Sequence, residues 1–217
     1  MTDCSVELCT LCRSTGLRLL ATVKGVPYWR CSGCRATLMD PAQWLDVASE
    51  KAVYDLHDNS PEDPGYRRFL GKLANPLLER LRPGSRGLDF GCGPGPVLAQ
   101  MLKAAGMQLE LYDPLFYPRS SVLDKTYDFV TCTEVVEHLH DPAATFAILD
   151  RLLKPGGWLG VMTCFQTDDD RFATWHYRRD PTHVIFYREE TLALVARQFC
   201  WTMEVPAKDV ALFRKPL

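Results

Sequence analysis

Hydrophobic and polar residues along the C-terminal part of the chain alternate in a pattern that predicts an α/β domain. Residues 88–90 (LDF) are strand-like, residues 96–106 (PVLAQMLKAAG) have the apolar spacing of an amphipathic helix, and residues 107–113 (MQLELYD) alternate as a second strand. Pro96 lies early in the helix and Gly106 at its end, where each residue type is favoured. Strand, glycine loop, helix and strand in this order predict a Rossmann-like βαβ unit.

Further predicted elements extend this pattern in both directions. Pro142 starts a helix over AATFAILDRLL, and a later helix over REETLALVARQF precedes two terminal strands, CWTMEVP and DVALFRK. On the N-terminal side, Asp40–Pro41 and Asp63–Pro64 each combine an N-cap residue with proline at the first helical position. They predict one helix from residue 41 to about residue 56 and another from residue 64 to about residue 83. Pro76 is expected to kink or divide the second helix.

Four cysteines near the N-terminus form two C-x2-C pairs, Cys9 with Cys12 and Cys31 with Cys34. Paired knuckles at this separation are typical of a tetrahedral Cys4 zinc site. The segment between them, LRLLATVKGVPYWR, predicts a two-stranded hairpin that turns at Lys24–Gly25. Because protein ligands fill all four positions, we expect the zinc to be structural and to supply much of the folding energy of this ribbon.

The remaining cysteines are distributed as expected of a protein in a reducing compartment, where disulfides are rare. Cys92, Cys132, Cys164 and Cys200 are scattered singly through apolar segments, where a thiol acts as a small buried hydrophobe, and Cys4 stands just outside the ribbon pattern. The formal net charge of -2 provides no strong field for nucleic acid or an anionic membrane. The N-terminus lacks the features of a signal peptide, and no apolar run approaches the ~20 residues of a membrane span. We therefore expect a cytoplasmic protein, monomeric or homodimeric, without membrane contacts.

The loop after the first strand of the βαβ unit, GCGPGP, distinguishes between two kinds of cofactor. A dinucleotide places its pyrophosphate on the free N–H groups of the following helix, and Pro94 and Pro96 remove two such donors. S-adenosylmethionine carries no phosphate and needs a close approach of the backbone, while Asp113 at the end of the second strand suits its ribose diol. Three glycines allow that approach: Gly91, Gly93 and Gly95.

These motifs together resemble those of the class I S-adenosylmethionine-dependent methyltransferases. LDFGCGPG resembles their first motif, LYDP supplies the acid of the second, YDFVTCTEVVEHLHDP resembles their fourth strand with the segment after it, and LLKPGGWLGVMT resembles the turn into the fifth strand. The resemblance runs from about residue 85 to the C-terminus and implies a Rossmann-like, seven-stranded-type methyltransferase sheet, as in Methyltransferase-23-like proteins. It implies these cofactor-binding residues: Asp89, Gly91, Cys92, Gly93, Gly95, Asp113, Thr133 and Glu134.

One segment departs from the family pattern. Only thirteen residues separate Asp113 from Tyr127, where the family usually places a helix, a third strand and another helix. The sheet is therefore expected to be shortened between its second and fourth strands. The predicted organisation is a zinc ribbon at 1–40, a helical linker or cap at 41–83 and an S-adenosylmethionine-binding methyltransferase domain at 84–217.

The segment TEVVEH follows the predicted fourth strand and gathers two acids and a histidine at the cofactor edge of the sheet. In a helix, Glu134, Glu137 and His138 would share one face. An E-x-x-E-H at this place resembles two groups of methyltransferases that use a divalent ion, the small-RNA 3′-terminal 2′-O-methyltransferases and the ubiquinone-pathway O-methyltransferases. In both groups the two glutamates, the histidine and a later histidine are metal ligands. The later ligand here would be His183, with His176 as the alternative.

Two chemistries remain open for this cluster. Carboxylates with imidazole suit Mg²⁺ or Mn²⁺, and an ion that bridges neighbouring hydroxyls would orient a diol and lower the pKa of the attacking oxygen. Without a metal, Glu134 would line the cofactor pocket, Glu137 would pair locally and His138 would be a structural or general-base histidine. The predicted catalytic residues are His138, Glu134 and His183.

The insertion TDDDRFATWHYRRDPTHVIFY lies where an acceptor-binding cap is often found in this architecture. We expect Phe172, Trp175 and Tyr177 to form an apolar wall, and Arg178 and Arg179 to clamp a phosphate or carboxylate. The alternative is an aromatic mini-core with solvated arginines. Three residues on the N-terminal side are candidates to close the site: Tyr54, His57 and Tyr66.

These features leave three functions open. The first is a small-molecule methyltransferase acting on oxygen, with a sugar, nucleotide-sugar or catechol-like diol as acceptor. Because N-terminal zinc ribbons also precede methyltransferases of sugar and natural-product pathways, carbon methylation stays open. The second is an RNA methyltransferase whose ribbon grips RNA, although only four basic residues lie between Cys9 and Cys34. The third is a non-catalytic zinc-ribbon interaction module, which the intact glycines and Asp113 disfavour.

Overall fold

The computed structural model describes residues 7–56 and 60–217, so that Cys4 and His57 lie outside the described residues. The strands within the described residues are β1 (Leu17–Val23), β2 (Val26–Cys31), β3 (Thr37–Met39), β4 (Arg86–Phe90), β5 (Gln108–Tyr112), β6 (Tyr127–Thr133), β7 (Leu153–Met162), β8 (Ile185–Phe186), β9 (Thr202–Ala207) and β10 (Val210–Arg214). The α-helices are α1 (Val47–Tyr54), α2 (Pro64–Leu78), α3 (Val97–Ala104), α4 (Pro142–Leu152) and α5 (Glu189–Gln198).

The N-terminal ribbon is an antiparallel sheet with the order β1-β2-β3-β8. The predicted hairpin is formed by β1 and β2, and both turn residues, Lys24 and Gly25, have positive φ values of 52° and 84°. The fourth strand comes from the insertion after β7, since Thr37 pairs with Phe186 and Leu38 with Ile185. This strand was not predicted. The ribbon and the insertion therefore share one sheet.

The first helix after the ribbon starts later than predicted. Asp40 accepts a hydrogen bond from the Ala42 N–H at 3.0 Å, but only a single 3-10 turn, Pro41–Gln43, follows before the backbone becomes extended at Trp44. The prediction of one helix from residue 41 was wrong because a second N-cap starts α1. That cap is Asp46, whose carboxylate accepts the Ser49 N–H at 2.8 Å.

The second helix, α2, starts where it was predicted. The Asp63 carboxylate accepts the Gly65 N–H at 2.7 Å, and Pro64 occupies the first helical position. The helix ends at Leu78, earlier than predicted, and Pro76 does not divide it. Pro76 lies in the last turn, where its missing N–H costs a hydrogen bond only at the end of the helix.

The main sheet has six strands in the order β5-β4-β6-β7-β10-β9. β5, β4, β6 and β7 are parallel, while β10 runs antiparallel to both β7 and β9, as predicted for the terminal pair. Between β5 and β6, where every residue is described, the structure contains a 3-10 turn, Ser120–Asp124, and an isolated bridge between Asp113 and Tyr117, but no further strand of the main sheet and no α-helix. The expected Rossmann-like fold with a shortened sheet is confirmed. Its parallel strands place Phe90, Tyr112 and Thr133 at one edge, where each strand ends.

Helices cover both faces of the main sheet. β6 is buried from both sides: Phe129 packs with α2 and α3, whereas Val130 belongs to the core that includes α4 and α5. The core that contains Val130 extends without interruption into the ribbon and includes Cys9, Cys31 and Cys34. Within the described residues, no helix combines the length and the apolar character that crossing a membrane requires.

Candidate active site

The glycine loop follows β4 and leads into α3 at the carboxyl edge of the sheet. Gly91 has a φ of 74°, and a Cβ atom there would lie 2.4 Å from a methyl group of Val135. Gly93 has a φ of 61°, but a Cβ atom there would meet no atom within 4 Å. Both positions favour glycine by their backbone conformation. Gly91 allows the loop to pack on the segment after β6, and Gly93 faces open space.

Asp113 connects the end of β5 to this loop. Its Oδ2 accepts the Gly93 N–H at 3.0 Å, and its Oδ1 accepts the N–H groups of Leu115 and Phe116 at 2.9 and 3.1 Å. The predicted ribose-binding carboxylate therefore lies beside the predicted methionyl-binding glycine, and three backbone donors hold it in place.

Asp89 and Thr133, two more of the predicted cofactor residues, lie at the ends of the central strands. Asp89 accepts a hydrogen bond from the Thr131 hydroxyl at 2.6 Å, and burial raises its pKa to about 6. Burial also raises the pKa of the Cys92 thiol. The Thr133 hydroxyl is buried and has no hydrogen-bond partner among the described residues. An orphaned polar atom at this edge is consistent with a bound ligand that supplies the partner.

The TEVVEH segment is not an α-helix. β6 ends at Thr133, Glu134 adopts a left-handed backbone with a φ of 52°, and a 3-10 turn covers Val136–His138. The expected arrangement of three side chains on one helical face is therefore absent from this segment. Glu134 and Glu137 are instead brought together by a residue of the insertion.

Tyr177 lies between the two glutamates. Its hydroxyl contacts Glu137 Oε1 at short range and Glu134 Oε2 at 3.1 Å, and it also contacts the Thr163 hydroxyl at 3.1 Å. Burial, and for Glu134 also the charge of Glu137, raises the pKa of both carboxyl groups above 4.5. The Tyr177 hydroxyl has one hydrogen and therefore donates to only one of the two carboxyl groups at a time. Its contacts bring the three side chains into one buried group.

His138 and His183 lie beside Glu137. The Nδ1 atom of His138 is 3.2 Å from the Thr182 carbonyl oxygen, and that of His183 is 2.7 Å from the Tyr177 carbonyl oxygen. Since a carbonyl only accepts, both Nδ1 atoms carry the hydrogen, and Nε2 is the nitrogen without one in the neutral rings. Each ring orientation is thus set by a backbone carbonyl.

Glu137, His138 and His183 each offer one ligating atom within 4.8 Å of the other two. Glu137 is fully buried, and its Oε2 has no hydrogen-bond partner among the described residues. Two imidazoles with backbone partners on Nδ1 and an orphaned carboxylate oxygen have the composition of a divalent-ion site with outer-shell support. Glu134 does not belong to this group of three.

The four N-terminal cysteines converge as expected. Each of Cys9, Cys12, Cys31 and Cys34 offers a sulfur atom within 4.8 Å of the others. The Sγ atoms of Cys9 and Cys34 are 3.6 Å apart, and those of Cys12 and Cys31 are 3.5 Å apart. Hydrogen bonds from the neighbouring thiols lower the pKa of Cys31. Four sulfur atoms at these separations fit a tetrahedral zinc ion.

The predicted acceptor residues of the insertion lie in different places. Phe172 is fully buried against Tyr28 of the ribbon, with ring centroids 5.0 Å apart, and Trp175 packs beside Tyr177 with centroids 5.3 Å apart. Arg178 lies over the Tyr28 ring at 5.8 Å, so it faces the ribbon. The exposed Arg179 donates to the Thr174 carbonyl oxygen at 3.4 Å, and His176 is exposed as well. The aromatic residues pack as a mini-core, and only Tyr177 reaches the glutamates.

Two of the predicted N-terminal residues reach the site. The Tyr54 ring meets His138 edge to face with centroids 5.3 Å apart. Burial, with the nearby charges of Asp89 and Glu134, raises the pKa of Tyr66 to about 12. The sequence did not predict that α1 would be held by Glu50, whose carboxylate is 2.8 Å from His140 Nε2. It also did not indicate a role for Tyr187, which lies only four residues after His183 in DPTHVIFY.

Comparisons with known proteins concern the family and the fold. The family model Methyltransf_23, described as a methyltransferase domain, matches residues 63–203. A ubiquinone biosynthesis O-methyltransferase of Nitrosospira multiformis is 31% identical over 145 residues, which cover 56% of this chain and 56% of that protein. One of Burkholderia vietnamiensis is 29% identical over 146 residues, which cover 56% and 57%. The chain thus spans little more than half of these relatives.

Solved structures share the fold. An O-methyltransferase family protein from Burkholderia thailandensis superposes with a TM-score of 0.52 at 13% identity, over 77% of this chain and 63% of that one. The 1,6-didemethyltoxoflavin-N1-methyltransferase of the same organism, solved with bound 1,6-didemethyltoxoflavin and S-adenosylhomocysteine, superposes with a TM-score of 0.51 at 18% identity, over 86% of this chain and 98% of that one. At these identities the similarity concerns the fold.

Proposed function

This chain belongs to the Methyltransf_23 family of methyltransferase domains, and from that premise we propose that it transfers the methyl group of S-adenosylmethionine to a hydroxyl oxygen of a small diol. The observation that carries the proposal is the contact between Asp113 and the Gly93 N–H. It supports a ribose-binding carboxylate and a methionyl-binding loop in one place. The O-methyltransferase relatives support oxygen as the accepting atom.

The cofactor would lie along the carboxyl ends of the strands. Asp113 would accept hydrogen bonds from the ribose hydroxyls, and the open space at Gly93 suits a close approach of the methionyl portion. The orphaned Thr133 hydroxyl is suited to a polar group of the same ligand. Asp89, Gly91, Cys92 and Gly95 would shape the remainder of this pocket.

The acceptor would lie between the cofactor and the group formed by Glu137, His138 and His183. We assign these three residues as ligands of a divalent ion. With two imidazoles and one carboxylate, the set favours Mn²⁺ over Mg²⁺, which prefers oxygen ligands. When bound, the ion would lower the pKa of the reacting hydroxyl and orient its neighbour.

The reaction also needs a base for the hydroxyl proton, and a side chain of this protein can supply it. As the C–O bond forms and the S–CH3 bond breaks, the hydroxyl proton must leave the acceptor. Without an ion, His138 is suited to accept it, because its Nδ1–H is held by the Thr182 carbonyl oxygen and its Nε2 carries no hydrogen. Tyr177 would hold the side chains of Glu134 and Glu137 in position beside the acceptor.

The proposal is tested by calorimetry with S-adenosylmethionine, followed by transfer of labelled methyl groups to catechol and to monosaccharides. The wild type is expected to bind the cofactor, and Asp113→Asn to bind it about tenfold or more weakly through the loss of charge-assisted hydrogen bonds. Equal affinities would contradict the assigned pocket. Transfer that is unaffected by EDTA and by added Mn²⁺ would remove the ion from the proposal.

A further inference from the structure

The ribbon is joined to the candidate active site by one short strand, β8. On its ribbon side, β8 pairs with β3, and the Met39 N–H donates to the Val184 carbonyl oxygen at 2.8 Å. The core of the ribbon supports the same contact, because the fully buried Phe186 meets Tyr28 with ring centroids 6.1 Å apart. The position of β8 therefore depends on the ribbon sheet.

The same strand also holds the turn that carries Glu137 and His138. The Val184 N–H donates to the Glu137 carbonyl oxygen at 2.9 Å, and the Tyr187 hydroxyl donates to the Val136 carbonyl oxygen at 3.0 Å. His183 directly precedes Val184. A single stretch of backbone thus orients all three members of the proposed ligand group.

A polar seam fixes the insertion to the ribbon from a second direction. The buried Thr37 hydroxyl donates to Gln166 Oε1 at 2.7 Å, and the Gln166 amide donates to Asp169 at 3.0 Å. Arg30, whose side chain is 8% exposed, contacts the same carboxylate at 2.5 Å, and Arg188 contacts it as well. Buried polar groups are costly to leave without partners, so these contacts specify one relative position.

We propose that the zinc ribbon is a positioning element of the active site, and that Tyr187 is the residue through which it acts. The inference rests on the proposed function, because the turn it positions carries the proposed catalytic groups. Tyr187 is fully buried in the core that also contains Cys9, Cys31 and Cys34. Its hydroxyl donates to the Val136 carbonyl oxygen, and its own carbonyl oxygen accepts the N–H of Gln166 from the polar seam at 2.8 Å.

The decisive experiment compares Tyr187→Phe with Tyr127→Phe. Tyr127 serves as the control because it is similarly buried and its hydroxyl lies 2.8 Å from the Val122 carbonyl oxygen and 2.6 Å from Glu110 Oε2. It lies at the opposite end of β6 from the site. Histidine side chains labelled with ¹⁵N report the ring tautomers directly, without any substrate. His138→Gln and His183→Gln assign the two resonances.

In Tyr187→Phe the His138 and His183 signals are expected to shift or to broaden through exchange, because the turn loses the hydrogen bond to the Val136 carbonyl oxygen. Binding of S-adenosylmethionine should stay within about twofold of wild type, and methyl transfer to catechol should fall in kcat by about 10–100-fold, the usual effect of an outer-shell partner. Tyr127→Phe is expected to change none of these. Thr37→Val, which removes the contact with Gln166, should shift the same resonances less.

Unchanged histidine resonances in both Tyr187→Phe and Thr37→Val would overturn the proposal, whatever their melting temperatures. So would equal shifts in Tyr187→Phe and Tyr127→Phe, since these would mark a general loss of stability. If Tyr187→Phe does not fold, the His138 and His183 resonances of Thr37→Val test the proposal in its place. A wild type that binds no S-adenosylmethionine would refute the proposed function, while the histidine spectra would still test the link from the ribbon to the turn.

Discussion

The imidazole rings of His138 and His183 meet edge to face, with centroids 4.6 Å apart and planes at 72°. One ring follows β6 and the other precedes β8, so the pair joins the two sheets of the molecule. Each ring also donates through Nδ1 to a backbone carbonyl, of Thr182 and Tyr177 respectively. These hydrogen bonds fix the orientation of both rings, so that the fold determines where each Nε2 atom points.

Binding of Mn²⁺ is therefore expected to depend on these two histidines and on Glu137. Replacing His138, His183 or Glu137 by glutamine should weaken the binding at least about tenfold, the lower limit seen even for outer-shell partners. Electron paramagnetic resonance of free Mn²⁺ measures this directly. Glu134→Gln is the control, since Glu134 stands outside the group of three. If Glu134→Gln weakens binding as much as Glu137→Gln does, the ligand set contains both glutamates.

Gly91→Ala is expected to destabilise the protein more than Gly93→Ala. Both changes place an L-residue at positive φ, at a cost of about 1–2 kcal/mol, but only the first also brings a Cβ atom to 2.4 Å from Val135. Urea unfolding of the cofactor-free variants checks this order. Gly93→Ala should instead show the greater relative loss of S-adenosylmethionine affinity, because its methyl group would enter the open space of the pocket. The reverse pattern would contradict the assigned orientation of the loop.

The sequence predicted the parts of this molecule that depend on local pattern. The βαβ unit, the start of α2 at Asp63 and the start of α4 at Pro142 follow from periodicity and capping, which act over a few residues. The shortened sheet followed from the length of the segment between Asp113 and Tyr127, which is too short for another strand and its helices.

The contacts that assemble the site could not be predicted in this way. β8 has only two residues, and its pairing with Leu38 across the chain leaves no local signal. Glu134 adopts a left-handed backbone that non-glycine residues rarely use, so a helical pattern over TEVVEH was misleading. The role of Tyr177 between two carboxylates depends on how the insertion folds back, which periodicity does not describe.

The ribbon is expected to contain one zinc ion per chain, bound by Cys9, Cys12, Cys31 and Cys34. Elemental analysis of the purified protein measures the ratio. Cys31→Ser and Cys34→Ser should lose the zinc and melt at a lower temperature, because metal binding contributes to the folding of a ribbon this small. Cys200→Ser provides the control, since Cys200 lies outside the ribbon and is exposed, contrary to the expectation of a buried thiol. Full zinc content in Cys31→Ser would exclude the four-cysteine site.

Asp89→Asn is expected to stabilise the cofactor-free protein at neutral and higher pH. Burial raises the pKa of Asp89 to about 6 in the folded protein, from an ordinary value of 3.8. Between these two values the folded state binds more protons than the unfolded state, so the free energy of unfolding falls as the pH rises through this window. By pH 8 the loss is complete and amounts to about 2–3 kcal/mol for a shift of this size.

Asparagine carries no charge to desolvate, and its side-chain oxygen can still accept the hydrogen bond from Thr131. Urea unfolding should therefore give similar free energies of unfolding for both proteins near pH 4. Toward pH 8 the two values should separate, with the variant more stable. A difference that stays constant across this range would show that Asp89 does not hold its proton in the folded state.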